Sequence, residues 1–337
     1  MKALKITGGV LIVILALLMA FLGVWFLWPW NRVFFANAES EFSIPGLDTS
    51  FVPQGFTKID GRNKYIVSGY MSDGSASRYY VVDSESGDVD KYFTLSVGED
   101  DYDGHACGVA SNGTDMWTCS NDGEGGTVYR FSLDDVETVG NGESVDVVDS
   151  FKSNNGADSV LVHDGILWVG EFYRNGNYET PAEHRLETRS GETNMALSLG
   201  FELQPGADYG LVDAVPDKAL STMGLVQGIA ISADGHIVLS TSYSLPDSTI
   251  YCYAPVLNEE KHDTITLNDV EIDLWYLDGE SLVNEVNAPA MTEEIVIEDG
   301  RLYILNESAC KKYKFLNRKR IRDVYSLDME FVIGDNN

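Results

Sequence analysis

Ala157-Asp158-Ser159-Val160-Leu161 is followed, after five intervening residues, by Leu167-Trp168-Val169-Gly170-Glu171, and together the two segments contain the pattern that indicates the fold. Each half has the composition of a short strand. Asp164-Gly165 between them tolerates the positive φ that a tight hairpin needs. The pattern recurs four more times, with first strands that begin at residues 53, 106, 226 and 292. The sequence is therefore built on a repeated hairpin.

Beyond residue 51 the chain consists of short runs of Val, Ile, Tyr, Phe and Thr separated by Gly, Asn, Asp and Ser. This composition predicts an all-β domain, since helical periodicity is almost absent. One or two strand-like runs follow each hairpin, which gives about four strands per repeat, the plan of a β-propeller blade. We predict a five-bladed β-propeller. A six-bladed propeller is the alternative, because the interval from residue 157 to residue 226 is long.

Residues 7–30 carry no charged side chain and are rich in Leu, Val, Ile, Phe and Trp. At about 1.5 Å rise per residue, a helix of this length would span a hydrocarbon core of about 30 Å. Lys2 and Lys5 precede the apolar run, and the first acidic residue is Glu39. Since short basic flanks stay in the cytoplasm, the remainder of the chain is expected on the other side.

These features divide the chain into a cytoplasmic stub (1–6), a transmembrane signal-anchor helix (7–30), a juxtamembrane linker (31–50) and an extracytoplasmic propeller (51–337). A secretory signal cleaved after Ala38 is the competing interpretation, because Ala36-Asn37-Ala38 has the small-residue pattern of a cleavage site. The retained anchor is favoured because the apolar run is longer than a signal needs. Both interpretations place the domain outside the cytoplasm.

The chain is strongly acidic, with a formal net charge of −30. Such a surface repels polyanions, so nucleic acid is not expected as a partner. Cations, a small molecule, a glycan or a protein ligand remain as candidates, together with the membrane that the N-terminal helix would enter.

In a propeller, the first strand of each blade lines the central channel and the second strand returns beside it. The start of the first strand and the end of the second therefore meet at one mouth. The repeat places polar residues at these positions, and we assign the carboxyl and amide side chains among them to a possible Ca²⁺ site, because Ca²⁺ prefers about 6–8 oxygen ligands. They are Gln54, Asp158, Glu171, Gln227, Glu293 and Glu307. A polar, water-filled mouth is the alternative.

His105 is the one histidine predicted at this mouth, and beside a carboxylate it could act as a general base on water. Cys107 and Cys119 fall on paired strands of one hairpin, which permits a cross-strand disulfide. Cys252 and Cys310 could join neighbouring blades. Free thiols are an equally open interpretation for both pairs.

Three stretches resemble uncharacterised secreted or anchored bacterial β-propeller proteins: Gly104-His-Ala-Cys-Gly-Val-Ala110, Leu167-Trp-Val-Gly-Glu-Phe-Tyr173 and Asn306-Glu-Ser-Ala309. At fold level the plan is similar to calcium-activated nucleotidases and gluconolactonase-like propellers. Both groups hold calcium at the channel mouth, so the resemblance implies a mouth that could do the same. Gluconolactonase-like proteins have six blades, and neither ligand set matches residue by residue.

Two classes of function follow. The first is a binding or interaction module at the cell surface, with a possible divalent-cation site at the mouth. The second is a calcium-dependent hydrolase of an ester, lactone or phosphoanhydride, in which the ion polarises the substrate and His105 moves protons. The sequence favours the first, because it contains no nucleophile elbow, phosphate-binding glycine loop or zinc motif.

Overall fold

The computed structural model describes residues 2–27, 30–59, 61–121, 125–315 and 317–334. Strands dominate, and the architecture is a β-propeller. The helices are α1 (Lys2–Leu27), α2 (Arg32–Asn37), α3 (Leu133–Thr138) and α4 (Met329–Ile333).

The strands up to the middle of the chain are β1 (Ala38–Ser43), β2 (Phe51–Lys58), β3 (Lys64–Met71), β4 (Arg78–Asp83), β5 (Val89–Val97), β6 (Asp100–Asp101), β7 (Val109–Ser111), β8 (Asp115–Asn121), β9 (Gly126–Ser132), β10 (Ser144–Lys152), β11 (Ser159–His163) and β12 (Ile166–Gly170). The remaining strands are β13 (Leu186–Glu187), β14 (Thr193–Asn194), β15 (Ala196–Glu202), β16 (Lys218–Thr222), β17 (Val226–Ile231), β18 (Ile237–Thr241), β19 (Ser248–Tyr253), β20 (Asp263–Leu267), β21 (Val270–Tyr276), β22 (Leu282–Ala288), β23 (Thr292–Glu298), β24 (Arg301–Asn306) and β25 (Asp323–Asp328).

Among the described residues, β2 to β10 form one nine-stranded sheet in which β5 and β10 pair in parallel, and β11-β12-β15-β16-β21-β20 form a six-stranded sheet. Within the sheets, five runs of four antiparallel strands recur, which we call units. In order from the inner strand, they are β2-β3-β4-β5, β7-β8-β9-β10, β11-β12-β15-β16, β17-β18-β19-β22 and β23-β24-β25-β1. The hairpin β20–β21 is inserted between β19 and β22, and its strand β21 pairs in parallel with the outer strand β16. The insertion therefore extends the third unit without interrupting the fourth.

The units are arranged in a closed ring. Each inner strand contacts the next in the order β2, β7, β11, β17 and β23, and β23 contacts β2. Five buried apolar clusters lie between successive units, and the last of them joins the fifth unit to the first. Because both faces of each unit are covered, strands such as β18 are buried at every position. Burial of these side chains is the main force that holds the ring together.

Asp-Gly pairs form the turns of two of the hairpins. Asp164-Gly165 and Asp299-Gly300 both have φ of 48° and 74°, the paired positive values that a two-residue hairpin turn requires. Asn268-Asp269 adopts the same conformation without glycine. Asn and Asp tolerate positive φ better than other side chains do, which accounts for this third turn.

The segment assigned to a linker, residues 31–50, is structured. Strand β1 pairs antiparallel with β25, with Ala38 opposite Leu327 and Ser43 opposite Asp323. The propeller therefore includes residues upstream of the predicted boundary at residue 51. The N-terminal strand β1 completes the sheet formed by the C-terminal strands. No local pattern in residues 38–43 predicts this pairing.

Helix α1 covers most of the predicted anchor, while residues 28 and 29 lie outside the described residues. Its described side chains, at 10–20 and 23–24, include Val10, Ile12 and Met19, each more than half exposed. In the described part of the chain, no helix combines the length and apolar character of a membrane span.

Candidate functional site

One mouth of the channel opens into a cavity of about 610 Å³. It lies where the inner strands begin and the second strands end, as the repeat predicts. His105 and five of the six predicted metal ligands line it: Gln54, Asp158, Gln227, Glu293 and Glu307. The register of the repeat therefore predicts that these residues, which are distant in the sequence, lie around one cavity.

Glu171, the sixth predicted ligand, does not line this cavity. Its carboxylate pairs with His184, with 2.9 Å between Oε1 and Nδ1, and both side chains are at most 3% exposed. It also accepts hydrogen bonds from the backbone N–H groups of Leu197 and Gly156. His184 comes from the segment between β12 and β15, whose position the repeat does not specify.

Glu293 and Glu307 form a carboxyl pair at the floor of the cavity. Their side chains hydrogen-bond to each other, which requires a shared proton. Burial, with the charge of Glu307, raises the pKa of Glu293 well above its ordinary value. Burial also raises the pKa of Glu307 to about 7. Gln54 Nε2 donates to Glu307 Oε2 at 3.0 Å, whereas Glu293 Oε1 is buried without a hydrogen-bond partner among the described residues.

Asp158 lies across the cavity. Its Oδ2 accepts hydrogen bonds from the backbone N–H of Phe172 at 2.9 Å and from Asn121 Nδ2 at 3.2 Å. Burial, followed by the charge of Cys107, raises the pKa of Asp158 to about 7. The cavity therefore contains two carboxyl groups that change ionisation near neutral pH.

His105 contacts a thiol rather than one of the predicted carboxylate partners. Its Nδ1 lies 3.2 Å from Cys107 Sγ, and its ring stacks on Tyr70 with 4.4 Å between centroids. Loss of hydration lowers the pKa of His105, but the charge and hydrogen bond of Cys107, with Asp158 and Glu307, raise that pKa overall. Cys107 is 8% exposed and lines the same cavity.

Aromatic rings form much of the remaining wall. Tyr70, Tyr313, Phe172, Tyr178 and Tyr243 all line the cavity. Lys312 Nζ lies 4.9 Å from the ring centroid of Tyr70 and 5.0 Å from that of Tyr313. The Arg174 guanidinium lies 4.0 Å from the ring centroid of Tyr243. The rim thus already accommodates cationic groups over aromatic faces, an arrangement worth about 0.5–1 kcal/mol at exposed sites.

The arrangement of the cavity side chains bears on whether they could hold a metal ion. Within the described residues, no group of three or more His, Cys, Asp or Glu side chains is arranged to hold one. Asp158 and Glu307 direct one oxygen each to protein donors, and Glu293 and Glu307 bond to each other. In this arrangement the carboxyl groups face protein partners instead of a common centre.

All four cysteines are free, buried thiols. Cys107 and Cys119 are nevertheless neighbours across one hairpin, where Cys107 N donates to Cys119 O at 3.0 Å. The hairpin pairing that permits a disulfide is therefore present, and the sulfur atoms are unbonded.

Sequence reasoning missed the aromatic wall and the pairing of His105 with Cys107. Tyr70 and Phe172 directly follow Gly69 and Glu171, positions that the repeat had already placed at the mouth, so their neighbours offered a usable signal. Tyr313 and Tyr178 lie outside the repeated hairpin, where no such signal exists.

No protein family model and no curated protein matches the chain. Among solved structures, it is similar to the Myxococcus xanthus glutaminyl cyclase, at 14% identity and a TM-score of 0.45, over 86% of this chain and 96% of that one. The PQQ-bound aldose sugar dehydrogenase of Streptomyces coelicolor gives 11% identity and a TM-score of 0.46, over 86% and 96%. The Dos1 propeller gives 11% identity and a TM-score of 0.33, over 79% and 60%. Likenesses this weak carry no functional argument.

Proposed function

We propose that the protein is a membrane-tethered, extracytoplasmic propeller of five blades whose central cavity binds a small organic cation. The observation that carries the ligand class is the buried Glu293 Oε1, which lacks a hydrogen-bond partner among the described residues and faces an aromatic-walled cavity.

Five blades are supported by the five four-stranded units and by the ring of contacts from β2 around to β23 and back to β2. Strand β1, the first strand of the chain, completes the last unit, so the ring closes with strands from both ends.

The membrane anchor is supported by the uncharged run 7–30, by Lys2 and Lys5 before it, and by the exposed apolar side chains of α1. Deletion of residues 1–30 tests it: the full chain should stay with membranes after a carbonate wash, and the shortened chain should not. Digestion of the domain by protease added outside intact cells tests its orientation.

A cationic ligand is supported first by charge. A buried carboxylate oxygen without a donor is costly, and an ammonium or guanidinium group would supply the missing hydrogen bond. Asp158 and Glu307 line the same cavity and ionise near neutral pH. A bound cation would favour their ionised forms and release protons.

The aromatic wall supports an organic cation over a metal ion. Lys312 and Arg174 already lie over the rings of Tyr70 and Tyr243. Ca²⁺ instead requires oxygen ligands at about 2.3–2.6 Å. Calcium binding, and a hydrolase that depends on it, stay predictions from the sequence.

The test is calorimetry of the full chain in detergent with choline and agmatine. Because two carboxyl groups with a pKa of about 7 must ionise, the affinity should rise at least about tenfold from pH 6 to pH 8. Glu293→Gln should weaken binding by about tenfold or more, since the amide preserves the shape but cannot ionise when a cation binds beside it.

Glu260→Gln is the matched control, because Glu260 is an exposed acid that does not line the cavity. Calcium chloride and glucose complete the titration. Failure of both cations to bind, or binding that Glu293→Gln leaves unchanged, contradicts the proposal. Heat evolved with calcium or glucose alone would assign the cavity to a metal ion or a neutral ligand instead.

A further inference from the structure

A pair of thiols lies at the floor of the cavity, one behind the other. Cys107 lines the cavity and is 8% exposed, whereas Cys119 on the neighbouring strand β8 is fully buried. The two residues are neighbours across the hairpin, where Cys107 N donates to Cys119 O at 3.0 Å. Both side chains belong to the same buried cluster, so the two thiols lie on one side of the hairpin.

The surroundings of the two thiols differ in a way that assigns them different roles. The Cys119 thiol, the His105 ring and the backbone N–H of Asn121 all lower the pKa of Cys107. Burial and the neighbouring Cys107 raise the pKa of Cys119. The thiolate is the nucleophile in thiol chemistry, so Cys107 is the attacking sulfur. Cys119 stays protonated and acts as the second, resolving thiol.

Cys252 and Cys310 provide the internal contrast. Both are at most 1% exposed, and burial raises the pKa of Cys252 to about 12 and that of Cys310 to about 11. Neither lines the cavity. They behave as inert core thiols, which shows that burial by itself does not produce the environment of Cys107.

The backbone between His105 and Cys107 is unusual. Ala106 has a φ of 50°, in the left-handed region that an alanine rarely adopts. It is held there by a hydrogen bond from its N–H to Tyr102 Oη at 3.3 Å and by one from Ser68 Oγ to its carbonyl, also at 3.3 Å. Strain that the surroundings maintain is found preferentially at functional sites, and here it lies between the imidazole and the thiol that it contacts.

We propose that Cys107 and Cys119 form a thiol–disulfide exchange site that opens into the central cavity and reacts with low-molecular-weight disulfides. The substrate class follows from access, because Cys107 lines a cavity of about 610 Å³. A disulfide carried on a folded protein surface would not reach a residue that is 8% exposed.

The reaction balances as two exchanges. The Cys107 thiolate attacks one sulfur of the disulfide, a mixed disulfide forms, and the first thiolate leaves and takes the proton from the His105 imidazolium. Cys119 then transfers its proton to His105 and attacks Cys107 Sγ. The second thiolate leaves as a thiol, with its proton returned through His105. The dithiol is oxidised to an internal disulfide, and one substrate disulfide is reduced to two thiols.

The test uses the full chain in detergent, equilibrated with oxidised and reduced glutathione and analysed by intact and peptide mass spectrometry. Oxidised protein should be two hydrogen atoms lighter and linked between Cys107 and Cys119, and reduced glutathione should reverse this without unfolding. Cys119→Ser should stop at a stable glutathione adduct on Cys107. Iodoacetamide should label Cys107 in the native reduced chain and leave Cys252 and Cys310 unmodified.

His105→Gln tests the role of the imidazole. The alkylation rate of Cys107 at pH 6.5 should fall about tenfold or more, and its pH profile should move toward the ordinary thiol pKa of about 8.5. A merely structural effect of His105 would change the melting temperature and leave that profile in place. Asp164→Asn, an exposed substitution in the β11–β12 turn, is the control for altered charge.

Three results would overturn the proposal: no internal disulfide under oxidised glutathione, a disulfide that is reduced only after unfolding, or equal labelling of all four cysteines. Exchange and cation binding can fail separately. Calorimetry of Cys119→Ser with agmatine measures binding in a chain that is unable to complete exchange.

Discussion

At the scale of single residues, the site combines groups whose properties depend on shared surroundings. Asp158 and Glu307 are carboxyl groups on different units, yet burial gives both a pKa of about 7. Glu307 raises the pKa of Glu293, and His105 lowers the pKa of Cys107. Each titration in the cavity therefore depends on the others.

These raised pKa values predict the pH dependence of stability. The folded protein binds more protons than the unfolded chain between the ordinary carboxyl pKa of about 4 and the folded value of about 7. The stability contribution of Asp158 and Glu307 is thus fully present below about pH 4 and is lost as pH rises to about 7. Asp158→Asn with Glu307→Gln should flatten that fall, measured by denaturant unfolding at pH 5, 6, 7 and 8. A double variant with the wild-type slope would contradict the assignment.

Glu171 offers a second prediction at this scale. Removal of one partner from the buried Glu171–His184 pair leaves an uncompensated polar group, so Glu171→Ala should destabilise the fold by about 3–5 kcal/mol. Denaturant unfolding measures the loss, with the exposed Glu260→Ala as the control. The loss of stability should be the same with and without calcium chloride, because the Glu171 carboxylate pairs with His184 and accepts a hydrogen bond from the backbone N–H of Leu197.

At the scale of elements, the closure of the ring rests on β1. Phe42 is 7% exposed and lies 5.4 Å from the ring of Tyr65 and 6.1 Å from that of Phe56, measured between centroids. These rings belong to the first unit, while β1 is paired to the last. One side chain thus joins the two units at which the ring closes.

Phe42→Ala should accordingly cost about 3–5 kcal/mol in the free energy of unfolding, the usual range for truncation of a buried phenylalanine. Ser40→Ala in the same strand is the matched control, because Ser40 is exposed. Thermal and denaturant unfolding followed by tryptophan fluorescence give both values. Loss of less than about 1 kcal/mol would show that β1 contributes little to closure.

At the scale of the whole molecule, the net charge affects the stability of the folded state. A net charge of −30 on 337 residues produces self-repulsion that weakens the compact state. Salt screens these interactions, with a Debye length that falls from about 30 Å at 0.01 M to about 10 Å at 0.1 M. We therefore expect the melting temperature to rise from 10 mM to 500 mM sodium chloride.

Potassium chloride at equal ionic strength should give the same rise, since screening does not distinguish the two cations. A much larger rise with calcium chloride at that ionic strength would instead indicate specific binding. A melting temperature that falls or stays constant with sodium chloride would show that the acidic surface is already neutralised by local ion pairs.

The sequence by itself determined the repeated hairpin, its Asp-Gly turns and the convergence of Gln54, His105, Asp158 and Glu293 at one mouth, because these follow from local turn chemistry and strand register. The tertiary structure decided that Glu171 pairs with His184, that Phe42 joins the last unit to the first, and that Tyr313 completes the cavity wall. These contacts bring together segments whose separation in the chain carries no periodic signal. Burial then sets the ionisation of the carboxyls and the thiols, which residue identity alone leaves open.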